Sequence, residues 1–427
     1  MHFLSRSAWL ATLLVSLVAF STKIISAQER RTHNFLYAAV GAEVIQYDVD
    51  LDSGTLEQRR SFTVPANVQE AWASPSKKYL YIAWSNGGAS YPAIGGVVPT
   101  GDHHGVSAYR IDPTSGALTL HGQPAALASR PIYITTDMDG THVITAHNDP
   151  SGLTVHELLP DGTVGKEVKQ TEKLDFGIYG HQVRVDLSNQ TVIFVTRGNG
   201  PTAAKPEDPG ALKLFSYRNG ILSNRQNVAP EGGFNYQIRH LDFHPSGKWD
   251  YATLERQNKL HVYRRSAGGM LSDAPLFVKD TLSDPSKPRT GQAASSIHLH
   301  PNGRFVYVAN RASATTEFEG KRVFSGGENT IAVFSINQDT GEPTLIQSEE
   351  TRGFQPRTFA TDAIGRVLVV ANQSPGYVRD GSRVNAIPAS LTVFRIRRDG
   401  KLDFTHKYDI ETPGGRSLFW VGMVSLP

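Results

Sequence analysis

Apolar and polar residues alternate over short runs along this chain, and apolar positions almost never recur at helical spacing. The runs come as pairs around a polar or glycine turn. The same phrase is found six times: "SPSKKYLYIAW", "DMDGTHVITAH", "DLSNQTVIFVTR", "HPSGKWDYATLE", "HPNGRFVYVANR" and "DAIGRVLVVANQ". Each time a β-rich run leads into the turn and a second leads out. A third strand follows in most units, as in "LKLFSYRN", "KLHVYRR" and "LTVFRIR". A glycine turn such as "TSGALTL", "DTGEPTL" or "DGKLDF" then enters a fourth. The period is roughly 50 to 63 residues, enough for one four-stranded antiparallel sheet, the size of a propeller blade.

Six such units leave two remainders. Near the N-terminus "NFLYAAV", "EVIQYDVD" and "GTLEQRRSF" make three strands without an innermost partner, and the C-terminus ends on an orphan strand, "RSLFWVGMV". Joined, they complete a seventh blade and remove the exposed sheet edge of an open array. The predicted fold is therefore all-β, a seven-bladed β-propeller over residues 28–427, closed by the C-terminal strand in the N-terminal blade. A Rossmann or TIM arrangement is excluded by the missing helices. "NGGASYPAIGGVVPTGDHHG" and residues 198–210 read as loops between strands.

Composition adds a location. Residues 8–20, "AWLATLLVSLVAF", follow Arg6 and precede "STKIISA". This is the pattern of a signal peptide, residues 1–27, cleaved after Ala27, and the apolar run is short for a membrane span. An uncleaved anchor is the alternative. Cleavage removes Arg6 and Lys23 and no acid, taking the net charge from +3 to about +1 (3 minus 2). Nothing in that balance favours nucleic acid. The chain has no cysteine, which excludes thiol catalysis and thiolate metal sites. A soluble exported monomer, periplasmic or secreted and free of the membrane after cleavage, is expected.

In an antiparallel hairpin the start of one strand lies beside the end of the next. Turn geometry predicts that residues sixteen apart face each other at the end opposite the turn. The pairs are Gln69 with Ser85, Pro131 with His147, His181 with Arg197, Arg239 with Glu255, Ser295 with Arg311, and Arg357 with Gln373. All fall on the two innermost strands, around one mouth of the central channel, and five pairs are polar on both sides. Arginines there suit an anionic substrate. Glu255 among them stays ionised and is a candidate general base, and His181 a candidate proton carrier. A purely structural ring of ion pairs, with Arg239 bridging to Glu255, is the competing reading.

The stretches "IRHLDFHPSGKWDYATLE", "SIHLHPNGRFVYVANR" and "QPRTFATDAIGRVLVVANQ" resemble the seven-bladed propeller lactonases. That family includes the propeller type of 6-phosphogluconolactonase and the fungal 3-carboxy-cis,cis-muconate lactonizing enzyme. The likeness covers the chain after residue 27 and is strongest from residue 180 onward. It implies an active site of His181 (in "GHQVRVD"), Arg239, Glu255 and Arg311. Arg197, Ser295, Arg357, Gln373 and His147 then become candidate substrate-binding residues. It implies hydrolysis of a small anionic lactone without cofactor or metal. The alternatives are cyclisation of a carboxymuconate-type acid, or a non-enzymatic exported propeller that binds a partner or glycan. The insertion "ASATTEFEGKRVFSGGEN" after Arg311, and export itself, depart from the compact cytoplasmic members.

His103 and His104 read as part of a solvated glycine loop, and "GGASYPAIGG" lacks the strand, helix and Lys-Ser/Thr of a phosphate loop. There is no G-x-S-x-G elbow. His298 and His300 in "IHLHP" sit at metal-ligand spacing. His300, however, recurs as His244 one unit earlier, beside a Pro-x-Gly turn, which marks it as architecture.

Overall fold

The computed structural model describes residues 32–88 and 101–427. The signal-peptide reading of residues 1–27 and most of the glycine-rich insert lie outside them. Seven antiparallel sheets form the blades of a propeller. We number the blades by their innermost strands: Asn67–Ala73, Pro131–Thr136, Gly180–Val185, Ile238–Phe243, Gln292–Leu299, Phe354–Thr361 and Leu418–Leu426, blades 1 to 7. Blade 7 is the composite sheet expected from the two remainders. Leu418–Leu426 pairs with His33–Val40, followed outward by Glu43–Asp50 and Thr55–Thr63. Blade 1 carries an extra short strand, Ala125–Ala126, beside its third strand.

Both faces of a blade are covered, so its middle strands read as nearly unbroken apolar runs rather than alternating ones. Val306, Tyr307, Val308 and Ala309 are all fully buried. Even residues of such a strand pack on one neighbouring blade and odd residues on the other. Apolar clusters accordingly fill every seam between blades. One joins Tyr81, Ala83 and Val106 of blade 1 to Ile134 and Val143 of blade 2. Another joins Tyr37 and Val44 of blade 7 to Val68 and Ile82 of blade 1. That last seam closes the ring.

The seams are also latched by hydrogen bonds. The hydroxyls of Tyr37, Tyr81, Tyr251 and Tyr307 donate to the carbonyls of Gly116, Gly162, Gly341 and Gly400, at 2.6 to 3.1 Å. Each tyrosine sits in one blade and each glycine in the outer turn of the next. These are the glycine turns whose repetition marks the fourth strands in the sequence. Gly341 has φ +79, and a Cβ there would lie 2.5 Å from Trp249. Only glycine serves both needs. Replacing Tyr251 with Phe leaves a buried carbonyl without its donor and lowers stability by about 1–3 kcal/mol, read from a urea unfolding curve.

Histidines make a parallel latch. Nε2 of His244 contacts the Gly303 carbonyl at 2.8 Å, and that of His300 contacts the Gly365 carbonyl at 2.9 Å. His300 thus belongs to the inter-blade architecture. One further expectation changes, and the insertion gains a structure. The insertion after Arg311 is an ordered hairpin, Thr315–Phe318 with Lys321–Phe324, packed against a second one, Gly376–Asp380 with Arg383–Ile387. His104 is not in a solvated loop: it opens a strand, is buried, and its Nδ1 meets the Ser85 hydroxyl at 2.8 Å.

Candidate active site

The expected cross-strand pairs are displaced, and the displacement builds the site. Only Pro131 and His147 pair as predicted. Ser85 faces Asn67, and Arg311 faces Ala293. The amides of Arg197 and Glu255 bond to the carbonyls of Tyr179 and Gln237. A β-bulge at one equivalent position in every innermost strand adds to a one-residue offset of the hairpin register. Its extra residues are Gln69, Ile132, His181, Arg239, Ser295 with Ser296, Arg357 and Phe419. A bulge leaves its residue out of the ladder and re-aims the side chain. Strict alternation misses this. Tyr179, Gln237 and Gln355, each two residues before a bulge, adopt φ values of 58, 33 and 57. Left-handed backbone at non-glycine residues costs energy and gathers at functional sites.

Glu255 is the hub. Its Oε2 accepts from Nη1 of Arg197 at 2.9 Å, its Oε1 from Nη2 of Arg311, and Nε of Arg239 lies 3.9 Å away. One carboxylate thereby ties blades 3, 4 and 5 together. Burial opposes its charge, but Arg197, Arg311 and Arg239 outweigh that and hold it far below the usual carboxylate range. Glu255 is therefore ionised at every working pH and a weak proton acceptor, better suited to fixing guanidinium groups than to the base role read from sequence. Arg197 also stacks on Tyr179 at 4.4 Å, and Arg357 on Phe419 at 4.0 Å.

His181 is buried beside this cluster. Burial first, then Arg239, Arg357, Arg197 and Arg311, push its pKa well below the ordinary value. The ring is neutral, its Nδ1 makes no hydrogen bond within the protein, and it meets His240 edge-on at 5.0 Å. Four guanidinium groups and one carboxylate around a neutral imidazole make a strongly positive, anion-seeking mouth.

The remaining candidates separate. The Ser295 hydroxyl donates to the Arg357 carbonyl at 2.8 Å, joined by Ser296 at 2.7 Å, so serine positions an arginine across the seam between blades 5 and 6. The structure places Gln373 fully buried, with neither end of its amide hydrogen-bonded in the protein. His147 is held inside its own blade by Ser129 at 3.0 Å on Nδ1 and Thr154 at 2.8 Å on Nε2, which leaves it no free nitrogen for a substrate.

One residue next to a bulge has no counterpart among the sequence candidates. Glu70 follows Gln69, lines the channel below the mouth, and its carboxyl is pushed up to about 8 by burial. An acid inside "NVQEAWA", an innermost strand, is the signal that marks it.

Residues 32–387 match the model of the family described as lactonase, 7-bladed beta-propeller. The chain belongs to that family. This lactonase-family chain is 28% identical over 302 residues to the 6-phosphogluconolactonase of Bacillus subtilis, covering 68% of this chain and 78% of that one. It is 24% identical to the Serratia proteamaculans protein of the same name, over 88% and 93% of the two chains. Among solved structures it superposes on the Pseudomonas aeruginosa periplasmic gluconolactonase with TM-score 0.65 at 19% identity, covering 92% of this chain and all of that one. At that identity the likeness speaks for the fold.

Proposed function

We propose that this member of the lactonase family hydrolyses the ester of a small anionic lactone of the sugar-acid type at the channel mouth. The observation that carries the reading is the set of Arg197, Arg239, Arg311 and Arg357 around the neutral His181. The names of the curated relatives support lactone chemistry, and the leader-like residues 1–27 support export.

The substrate's anionic group binds to guanidinium forks, which suit carboxylate or phosphate. Its charge offsets the cations that depress His181 and so raises the basicity of that imidazole where it is needed. His181 takes a proton from water as the oxygen adds to the lactone carbonyl. Arg239 and Arg311 stabilise the resulting oxyanion. Collapse breaks the ring C–O bond, and the imidazolium returns its proton to the departing alkoxide. The new carboxylic acid ionises, so one proton is released per turnover. Glu255 keeps the arginines in place throughout.

A pH-indicator screen of the chain from residue 28 against phosphorylated, carboxylated and neutral aldonolactones, with carboxymuconate included, tests the reading. Acceleration of anionic lactones supports it; turnover of carboxymuconate alone assigns the cyclase instead. Replacing Arg357 with Ala raises KM for an anionic lactone about 10- to 100-fold, the worth of a charged hydrogen bond, and barely alters that for a neutral one. The exported form is expected to begin at Gln28, read by intact mass.

A further inference from the structure

The channel has a second end. Below the bulges, a cavity of ≈ 400 Å³ opens on the face of the strand-connecting turns, where Ser74 and Lys77 lie. That is the face opposite Arg197, Glu255 and Arg311. Its volume falls in the range of small-molecule sites, about 300–1,000 Å³. We propose that this cavity is a separate binding site for a neutral cyclic polyol of hexose size.

Trp72, Tyr133, Phe359 and Trp420 are the four phenyl- and indole-bearing residues of its lining. Flat aromatic faces suit the C–H faces of a cyclic polyol, while a few placed polar groups fix its hydroxyls. Glu70, on the innermost strand of blade 1, is the chief polar group, and Gln182 and His298 also line the cavity. The cations at this end are engaged. Arg184 pairs with Asp242 at 3.1 Å and stacks on Trp72 at 5.0 Å, and Nζ of Lys77 donates to the Ser425 carbonyl at 3.1 Å. Burial depresses the pKa of both His240 and His298, so both rings are neutral.

The charged and titratable groups facing Glu70 are Arg239 and Arg357 from the mouth side and Tyr133 across the cavity. Burial outweighs the Ala71 amide, the Trp420 side chain and the two arginines, and the carboxyl is pushed up to about 8. The Ala71 amide donates to its Oε1 at 3.2 Å and the Trp420 side chain also bonds the carboxyl, so at neutral pH the protonated group keeps an O–H to donate to a sugar hydroxyl. Along such a wall a neutral polyol meets polar groups and ring faces together. The mouth, one residue further back along the same strands, has the opposite chemistry.

Glucose is the probe, titrated into the chain from residue 28 at pH 7 with calorimetry and the fluorescence of Trp72 and Trp420 as readouts. A saturable response in the millimolar range is expected, about tenfold weaker in Glu70→Ala. Glu70→Gln keeps a donor and an acceptor but does not ionise. It binds like the unaltered protein at pH 7 and still binds at pH 9.5, where the unaltered protein weakens about tenfold as Glu70 ionises. If Glu70→Ala does not fold, the comparison with Glu70→Gln carries the test. The proposal is overturned by no response up to about 100 mM glucose. Tighter binding of gluconate than of glucose overturns it too, as does a Glu70→Gln variant that weakens at pH 9.5 like the unaltered protein.

Discussion

Replacing Glu255 with Gln is expected to cost both activity and stability. The carboxylate is buried and serves three arginines on three blades. Removing one partner of a buried ion pair leaves uncompensated charge and costs about 3–5 kcal/mol. The fold is expected to survive the change in weakened form. Loss of a preorganised oxyanion donor lowers kcat by about 100- to 1,000-fold, and here two arginines lose their anchor together. The stability loss is itself pH-dependent. In the folded protein Glu255 titrates far below its unfolded value of about 4.3. Its contribution is complete above about 4.3 and fades as the pH falls toward the folded value. Unfolding curves of the variant and the unaltered protein should therefore converge in acid. A constant gap down to pH 2 contradicts the ion-pair account.

Replacing His181 with Asn is expected to lower kcat by about 100- to 10,000-fold while leaving KM for an anionic lactone within a few-fold. The imidazole moves protons; the arginines hold the substrate. Its folded pKa is depressed, so protonation, which disables it, requires acid well below pH 6.5. The kcat/KM profile of the free enzyme should accordingly show no acid limb between pH 8 and about 6.5. Folding favours the neutral ring, so this residue makes the protein less stable as the pH drops below the unfolded value of about 6.5. Loss of kcat/KM on moving from pH 8 to 6.5, in step with an ordinary histidine, shifts the base role elsewhere.

The blades were legible because strands, turns and latch glycines repeat at nearly fixed spacing. "DTGEPTL" and "DGKLDF" announce turns whose glycine carbonyls receive Tyr251 and Tyr307. The composite seventh blade followed from three strands lacking an innermost partner near one end of the chain and an orphan strand at the other. Arg239, Glu255 and Arg311 came together because they lie near the mouth ends of adjacent hairpins. What failed was the register. Period-2 alternation is blind to a bulge, which inserts a residue without changing composition, so Ser295 was paired with Arg311 although Ala293 stands there. His147 looked like its polar neighbours, but nothing in "VITAHN" shows that Ser129 and Thr154 occupy both ring nitrogens. Glu70 was passed over for Gln69 because the same bulge decides which of two adjacent polar residues meets which level of the channel.

The central claim is that the arginine-lined mouth opens a lactone. Titration of proton release at constant pH, with anionic aldonolactones and the chain from residue 28, addresses it most directly. One proton per lactone is expected, at a rate above spontaneous hydrolysis that falls about 100-fold or more in both Glu255→Gln and His181→Asn. Release at the spontaneous rate across the whole panel, or equal rates in the folded variants and the unaltered protein, contradicts the account.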